Sequence, residues 1–125
     1  PGEIVKEVIV PTEDSGIGTS YQKNAQPASG FAIVGIAARL RKTGGKISMA
    51  RIGVTGLANC SYRALAAEAA LEGKAGTARE IQNAAALVAE GADANSDLFA
   101  SAEYRRHLAM VYAGRALVAA LARAV

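Results

Sequence analysis

Tyr21 and Lys23 stand two residues apart in a polar stretch that leads directly into a β-rich segment. A phenol ring stacks on planar ligands, and an ammonium group donates charge-assisted hydrogen bonds to anions. Together they could address a planar, anionic cofactor. The plainer reading is a partly exposed tyrosine beside a solvated lysine, and on residue types alone it outweighs the first.

Other chemistry in the chain is short of parts. Gly16 and Gly18 open like a phosphate-cradling loop, but Tyr21 occupies the place where the dinucleotide fingerprint requires its third glycine. Asp93, Asn95 and Asp97 alternate as calcium-loop ligands do. Leu98 then stands where that loop needs glycine and Tyr104 where it needs glutamate, so helix capping is the expectation. His107, the one histidine, follows Arg105 and Arg106 with no second ligand at metal spacing and reads as a surface residue. Cys60, the one cysteine, has no histidine nearby in sequence and reads as a small residue near a helix start. Without a paired acid, base or nucleophile, no catalytic residue and no metal ligand is expected.

The elements that must position Tyr21 and Lys23 follow from local pattern. Residues 3–11 (EIVKEVIVP) are rich in β-branched side chains and read as a strand. Residues 12–29 lack a sustained period and read as a long loop, of the kind that usually has a function or packs on a partner. A hairpin over 31–57 follows, its strands Phe31 to Arg41 (FAIVGIAARLR) and Lys46 to Leu57 (KISMARIGVTGL) joined through Gly44 and Gly45. Alternation puts Phe31, Ile33, Gly35 and Ala37 on one face, with Ile47, Met49 or Ile52 and Val54 lining the same side according to register. Helices are predicted over about 61–72, 77–90 and 101–123. Asn59 or Ser61 caps the first, a Thr77-to-Glu80 capping box opens the second, and Ser101 caps the third. Tyr104, Leu108, Val111, Leu117 and Leu121 supply the inward face of the last helix in some combination. Strands first and helices afterwards describe an α+β domain: a small antiparallel sheet of three to four strands, with a central hairpin, covered on one face by about three helices.

Composition narrows the classes further. A chain of 125 residues fits one domain with a single core. Much of its 51% hydrophobic content is alanine, with 2 Phe, 4 Tyr and no Trp. Such side chains suit helices packed closely on a sheet. The formal charge of +3 is spread along the chain, so nucleic-acid binding is not expected. A lone cysteine rules out an intrachain disulfide and points to the cytoplasm, and the Asn59-Cys60-Ser61 sequon is read as chance. Arginines interrupt every apolar stretch, so no membrane span is expected. The start at Pro1 without methionine points to a fragment of something longer or to a processed product.

Four segments in order carry a family resemblance: Gly2 to Pro11 (GEIVKEVIVP), Tyr21 to Gly35 (YQKNAQPASGFAIVG), Ala50 to Val54 (ARIGV) and Ser96 to Leu108 (SDLFASAEYRRHL). In type and spacing the chain resembles the C-terminal domain of the FAD-binding medium subunits of carbon monoxide dehydrogenase and its xanthine dehydrogenase relatives, the molybdenum hydroxylases. The resemblance implies a domain that is not catalytic itself and not active alone, helping to enclose the flavin and to dock subunits. In that family an N-terminal FAD domain of the same subunit holds the cofactor in glycine-rich loops, and those loops are not in these 125 residues. Little or no binding of free FAD is implied for this domain alone. The molybdenum cofactor lies in a large partner subunit and the iron-sulfur clusters in a small one, and electrons pass from molybdenum through the clusters to FAD.

The resemblance also maps a flavin-proximal aromatic residue and lysine onto Tyr21 and Lys23, which raises their cofactor-binding reading to equal standing with the plain one. It makes Tyr104, Arg105 and Arg106 the opening of the long last helix, concerned with packing or a subunit contact, of which packing is favoured. The parent enzyme's substrate belongs to the large subunit. A rival reading from another class is a free-standing protein-interaction domain with no redox role.

Overall fold

The structure is a computed structural model and describes residues 2–10, 12 and 16–125. In chain order the elements are β1 (Ile17–Ala25), β2 (Ala32–Thr43), β3 (Lys46–Thr55), β4 (Tyr62–Arg63), α1 (Leu65–Leu71), α2 (Ala78–Ala86) and α3 (Ala102–Arg123). The strands form one antiparallel sheet in the order β1-β2-β3-β4. This is the α+β class expected from the order of elements.

Why the sheet takes this form begins at the hairpin. Gly44 and Gly45 both take positive φ, +59° and +78°, as a tight turn between right-twisted strands requires. The register then sets Ala37 opposite Gly53 and Arg39 opposite Arg51. A shift between Arg41 and Lys42 leaves Ser48 as an extra residue on β3 and turns Ile47 to the side of Ile52 and Val54. The core is therefore built on Val34, Ile36, Leu40, Ile47, Ile52 and Val54. Ile33, Gly35 and Ala37 lie on the opposite face with Met49, and Phe31 is exposed. Neither grouping the sequence allowed is fully realised: Met49 joins this face, but the bulge takes Ile47 to the core side with Ile52 and Val54.

The helices cover one face only. Helix α3 lies across β1 and β2, α1 packs on β3, and α2 sits between α1 and α3. Ala109, Ala113, Ala116 and Ala120 of α3 are buried, and small side chains let the helix backbone approach the sheet closely. The approach is tightest at Gly18, where a Cβ would meet the Ala120 carbonyl at 1.9 Å.

Several expectations are corrected. Residues 2–10 form no strand, and their side chains from Glu3 to Val10 are exposed; Pro11 lies outside the described residues. A β-branched run favours extended backbone, but a strand needs a partner edge, and these residues pair with none here. The long loop over 12–29 instead holds β1, paired with β2 from Ile17 opposite Arg41 to Ala25 opposite Ala32. Its alternation is invisible to a hydrophobicity count because its helix-facing side is Gly18, Ser20, Gln22 and Asn24. The first helix starts at Leu65, since Tyr62 and Arg63 pair with β3 as β4. Ser61 bonds Thr55 at 2.9 Å and Ala64 takes the cap position without a side-chain bond. The second helix keeps its capping box but ends at Ala86. In α3, Tyr104 is exposed and Arg105 is buried in its stead.

Candidate functional site

Tyr21 and Lys23 lie on β1 and face away from the helices, with Thr19 between them and the end of the sheet. Pairing sets Tyr21 beside Ala37, which is itself beside Gly53, and Lys23 beside Gly35. A flat floor results, made of residues with little or no side chain. The Tyr21 ring lies down on it: a Cβ on Gly35 would stand 2.4 Å from the phenol oxygen. Mid-strand glycine allows this close approach and is the sequence signal that the floor existed. The hollow around the ring measures about 190 Å³ and is lined by Gly35, Ala37, Gly53, Thr55 and Ser61 besides Tyr21 itself.

Lys23 reaches along the strand and donates to the Gly30 carbonyl at 2.7 Å, which leaves two of its three N–H groups available. The same bond braces the turn ahead of β2, where the Gln26 side chain accepts from the Ser29 amide and hydroxyl at 2.6 and 2.9 Å. The structure therefore brings both sequence-predicted residues onto one surface, on a strand rather than a loop.

Beside the floor runs a belt of arginines that residue reading did not single out. Arg39 and Arg51 face each other across β2 and β3, and Arg63 lies opposite Gly53 on β4. A second hollow of about 530 Å³ runs between them and Tyr21. Like charges in direct cross-strand register repel, so acidic partners matter. Arg51 meets Glu72 at 3.1 Å and Glu68 at 3.9 Å. Arg63 grips both carboxylate oxygens of Glu68, which also accepts from the Ile52 amide at 2.9 Å. Burial pushes the Glu68 carboxyl up, but the Arg63 bonds, the Ile52 amide and the charges of Arg63 and Arg51 outweigh it. The group is held below the usual glutamate range.

Of the remaining singled-out residues, Asp97 and Arg105 serve structure. Asp97 caps no helix, since Ser101 holds that place on α3; it accepts from the Phe99 and Ala100 amides at 2.9 and 3.1 Å in the loop before α3 and pairs with Arg105 at 2.6 Å. Arg105 also donates to the Ile33 and Gly56 carbonyls at 2.6 and 2.9 Å, tying the start of β2 and the end of β3 to α3. Cys60 and His107 are exposed. Among the described residues no group of three or more His, Cys, Asp or Glu is placed to hold a metal ion.

The description "CO dehydrogenase flavoprotein C-terminal domain" fits residues 19–120, most of the chain, from within β1 to within α3. The chain belongs to that family. The carbon monoxide dehydrogenase medium chain of Hydrogenophaga pseudoflava is 33% identical over 121 residues, covering 97% of this chain and 42% of the relative. That of Afipia carboxidovorans is 34% identical over 124 residues, covering 99% and 43%. Among solved structures, the Hydrogenophaga pseudoflava carbon monoxide dehydrogenase that lacks the Mo-pyranopterin moiety of its molybdenum cofactor superposes with a TM-score of 0.87 at 39% identity, over 93% of this chain and 40% of that one. This flavoprotein C-terminal domain thus spans about two fifths of the length of the curated relatives it matches. No helix among the described residues is long and apolar enough to cross a membrane.

Proposed function

We propose that this domain closes one side of the flavin pocket in the FAD-carrying subunit of a molybdenum hydroxylase, with Tyr21 and Lys23 of the open sheet face nearest the ring system. The observation that carries the reading is the bare floor of Gly35, Ala37 and Gly53 with the Tyr21 ring laid against it. A planar tricycle suits such a surface, because the Tyr21 ring laid flat on it offers a face to stack on. Lys23 sets a positive charge beside it, which suits an anionic cofactor.

FAD, when bound, supplies electron-transfer chemistry. The domain's own residues bound the ring, shed water from one side of it and hold cationic groups nearby. The flavin itself would be held by the neighbouring FAD domain of the same subunit, and the domain would also dock that subunit against a large molybdenum subunit and a small iron-sulfur subunit. Membership of the family and likeness to carbon monoxide dehydrogenase medium chains support this reading.

The test uses the intact flavoprotein subunit. Tyr21→Ala is expected to raise the dissociation constant for FAD roughly 3- to 10-fold, the worth of one aromatic contact, and to change flavin fluorescence. Lys23→Ala is expected to shift the flavin absorption spectrum by removing a nearby charge. Unchanged affinity and spectra in both variants would remove the assigned role.

A further inference from the structure

The segment ahead of the sheet is built like a strand and pairs with no strand among the described residues. Ile4, Val5, Val8, Ile9 and Val10 are between 79 and 93% exposed, although all are β-branched and aliphatic. Among the described residues no hydrogen bond joins residues 2–10 to the sheet or the helices. In extended conformation Ile4, Lys6, Val8 and Val10 project to one side, and Val5, Glu7 and Ile9 to the other. Both sides are therefore apolar around a central pair of opposite charges. That pattern belongs to a strand covered on both faces, not to one that lies with one face in water.

Which sheet receives it follows from how far the relatives extend. The match to the C-terminal domain family runs over residues 19–120 and leaves the segment out. The likeness to the Afipia carboxidovorans medium chain takes in 99% of this chain, and so includes the segment, while covering only 43% of that relative. We infer that residues 4–10 are a strand of the remainder of the flavoprotein subunit, joined to that part's sheet by backbone hydrogen bonds. The segment then acts as a tether that fixes this domain against its neighbour. The inference rests on family membership and is independent of where the flavin sits.

Hydrogen exchange on the intact subunit tests it. Amides of residues 5–10 are expected to exchange on the order of 100-fold more slowly than an unstructured chain, at alternate positions if the strand lies at an edge and at consecutive ones if it lies inside. Val8→Pro removes a donor and is expected to abolish that protection while leaving the amides of β2 and β3 protected; Val8→Thr is expected to retain it. Exchange of residues 5–10 at unstructured rates in the intact subunit would overturn the inference. So would protection that grows with subunit concentration, which would mean pairing between two copies. Flavin spectra of the Tyr21→Ala subunit report on the pocket alone, so the two ideas fail separately.

Discussion

Glu68 shows how a single carboxylate holds the arginine edge of the sheet. It is 4% exposed, yet it satisfies the Ile52 amide and both ends of the Arg63 guanidinium. Because its carboxyl titrates lower in the folded chain than in the unfolded one, the folded state binds that proton less readily. Its contribution is complete above the ordinary glutamate value of about 4.3 and is lost as pH falls through the depressed native value. Asp97 and Glu80 are depressed in the same direction, first of all by the backbone amides of Phe99 and Thr77 respectively, and add to the same acid limb. The urea midpoint is expected to be flat between about pH 6 and 8 and to fall below about pH 4.5. Glu68→Gln is expected to lower stability at pH 7 by about 1–3 kcal/mol and to blunt the acid limb. Equal acid limbs in the two proteins would show that Glu68 plays no part in it. Sequence reading named neither Glu68 nor its partners, because Arg51, Arg63 and Glu68 meet only once β3, β4 and α1 are folded together.

Between elements, α3 packs tightly against β1. Gly18 faces backbone there, with the Ala120 carbonyl and the Ala124 amide 1.9 and 2.6 Å from where a Cβ would stand. Backbone cannot rotate aside as a side-chain tip can, so Gly18→Ala must push the end of α3 off the sheet. A loss of roughly 1–3 kcal/mol in urea unfolding is the expected outcome, and an unchanged midpoint would show that the helix end yields freely. Further along the same interface Asn24 donates to the Tyr112 hydroxyl at 3.3 Å, and Arg123 closes the end by donating to the Thr19 carbonyl at 2.6 Å. A stripe of glycine, serine, glutamine and asparagine is what α3 covers, and this is why β1 read as a polar loop. The hairpin and the capped helices were legible because turn glycines and capping side chains act within a few residues of sequence.

At the scale of the whole molecule, one face of the sheet is covered and the other is bare. A shallow open face cannot enclose a ligand the way a pocket does, and small-molecule sites bury most of the ligand's surface. Free FAD titrated into the chain of residues 1–125 is therefore expected to show no saturable fluorescence change up to about 100 μM, equivalent to a contribution weaker than roughly 5.5 kcal/mol. Tight binding by this chain alone would show that the open face makes a complete site. The open face and residues 4–10 have one feature in common: neither is covered by another element among the described residues.

Local chemistry along the chain determined the α+β class, the hairpin with its Gly44-Gly45 turn, the caps at Thr77 and Ser101, and the family, because each of these is written within short runs of residues. Tertiary structure alone decided that Tyr21 and Lys23 stand on a strand, that Gly35, Ala37 and Gly53 clear a floor between them and the arginines, and that Arg105 rather than Tyr104 turns inward. Those outcomes depend on strand register and on which face the helices cover, and a single residue of register shift would exchange the two faces.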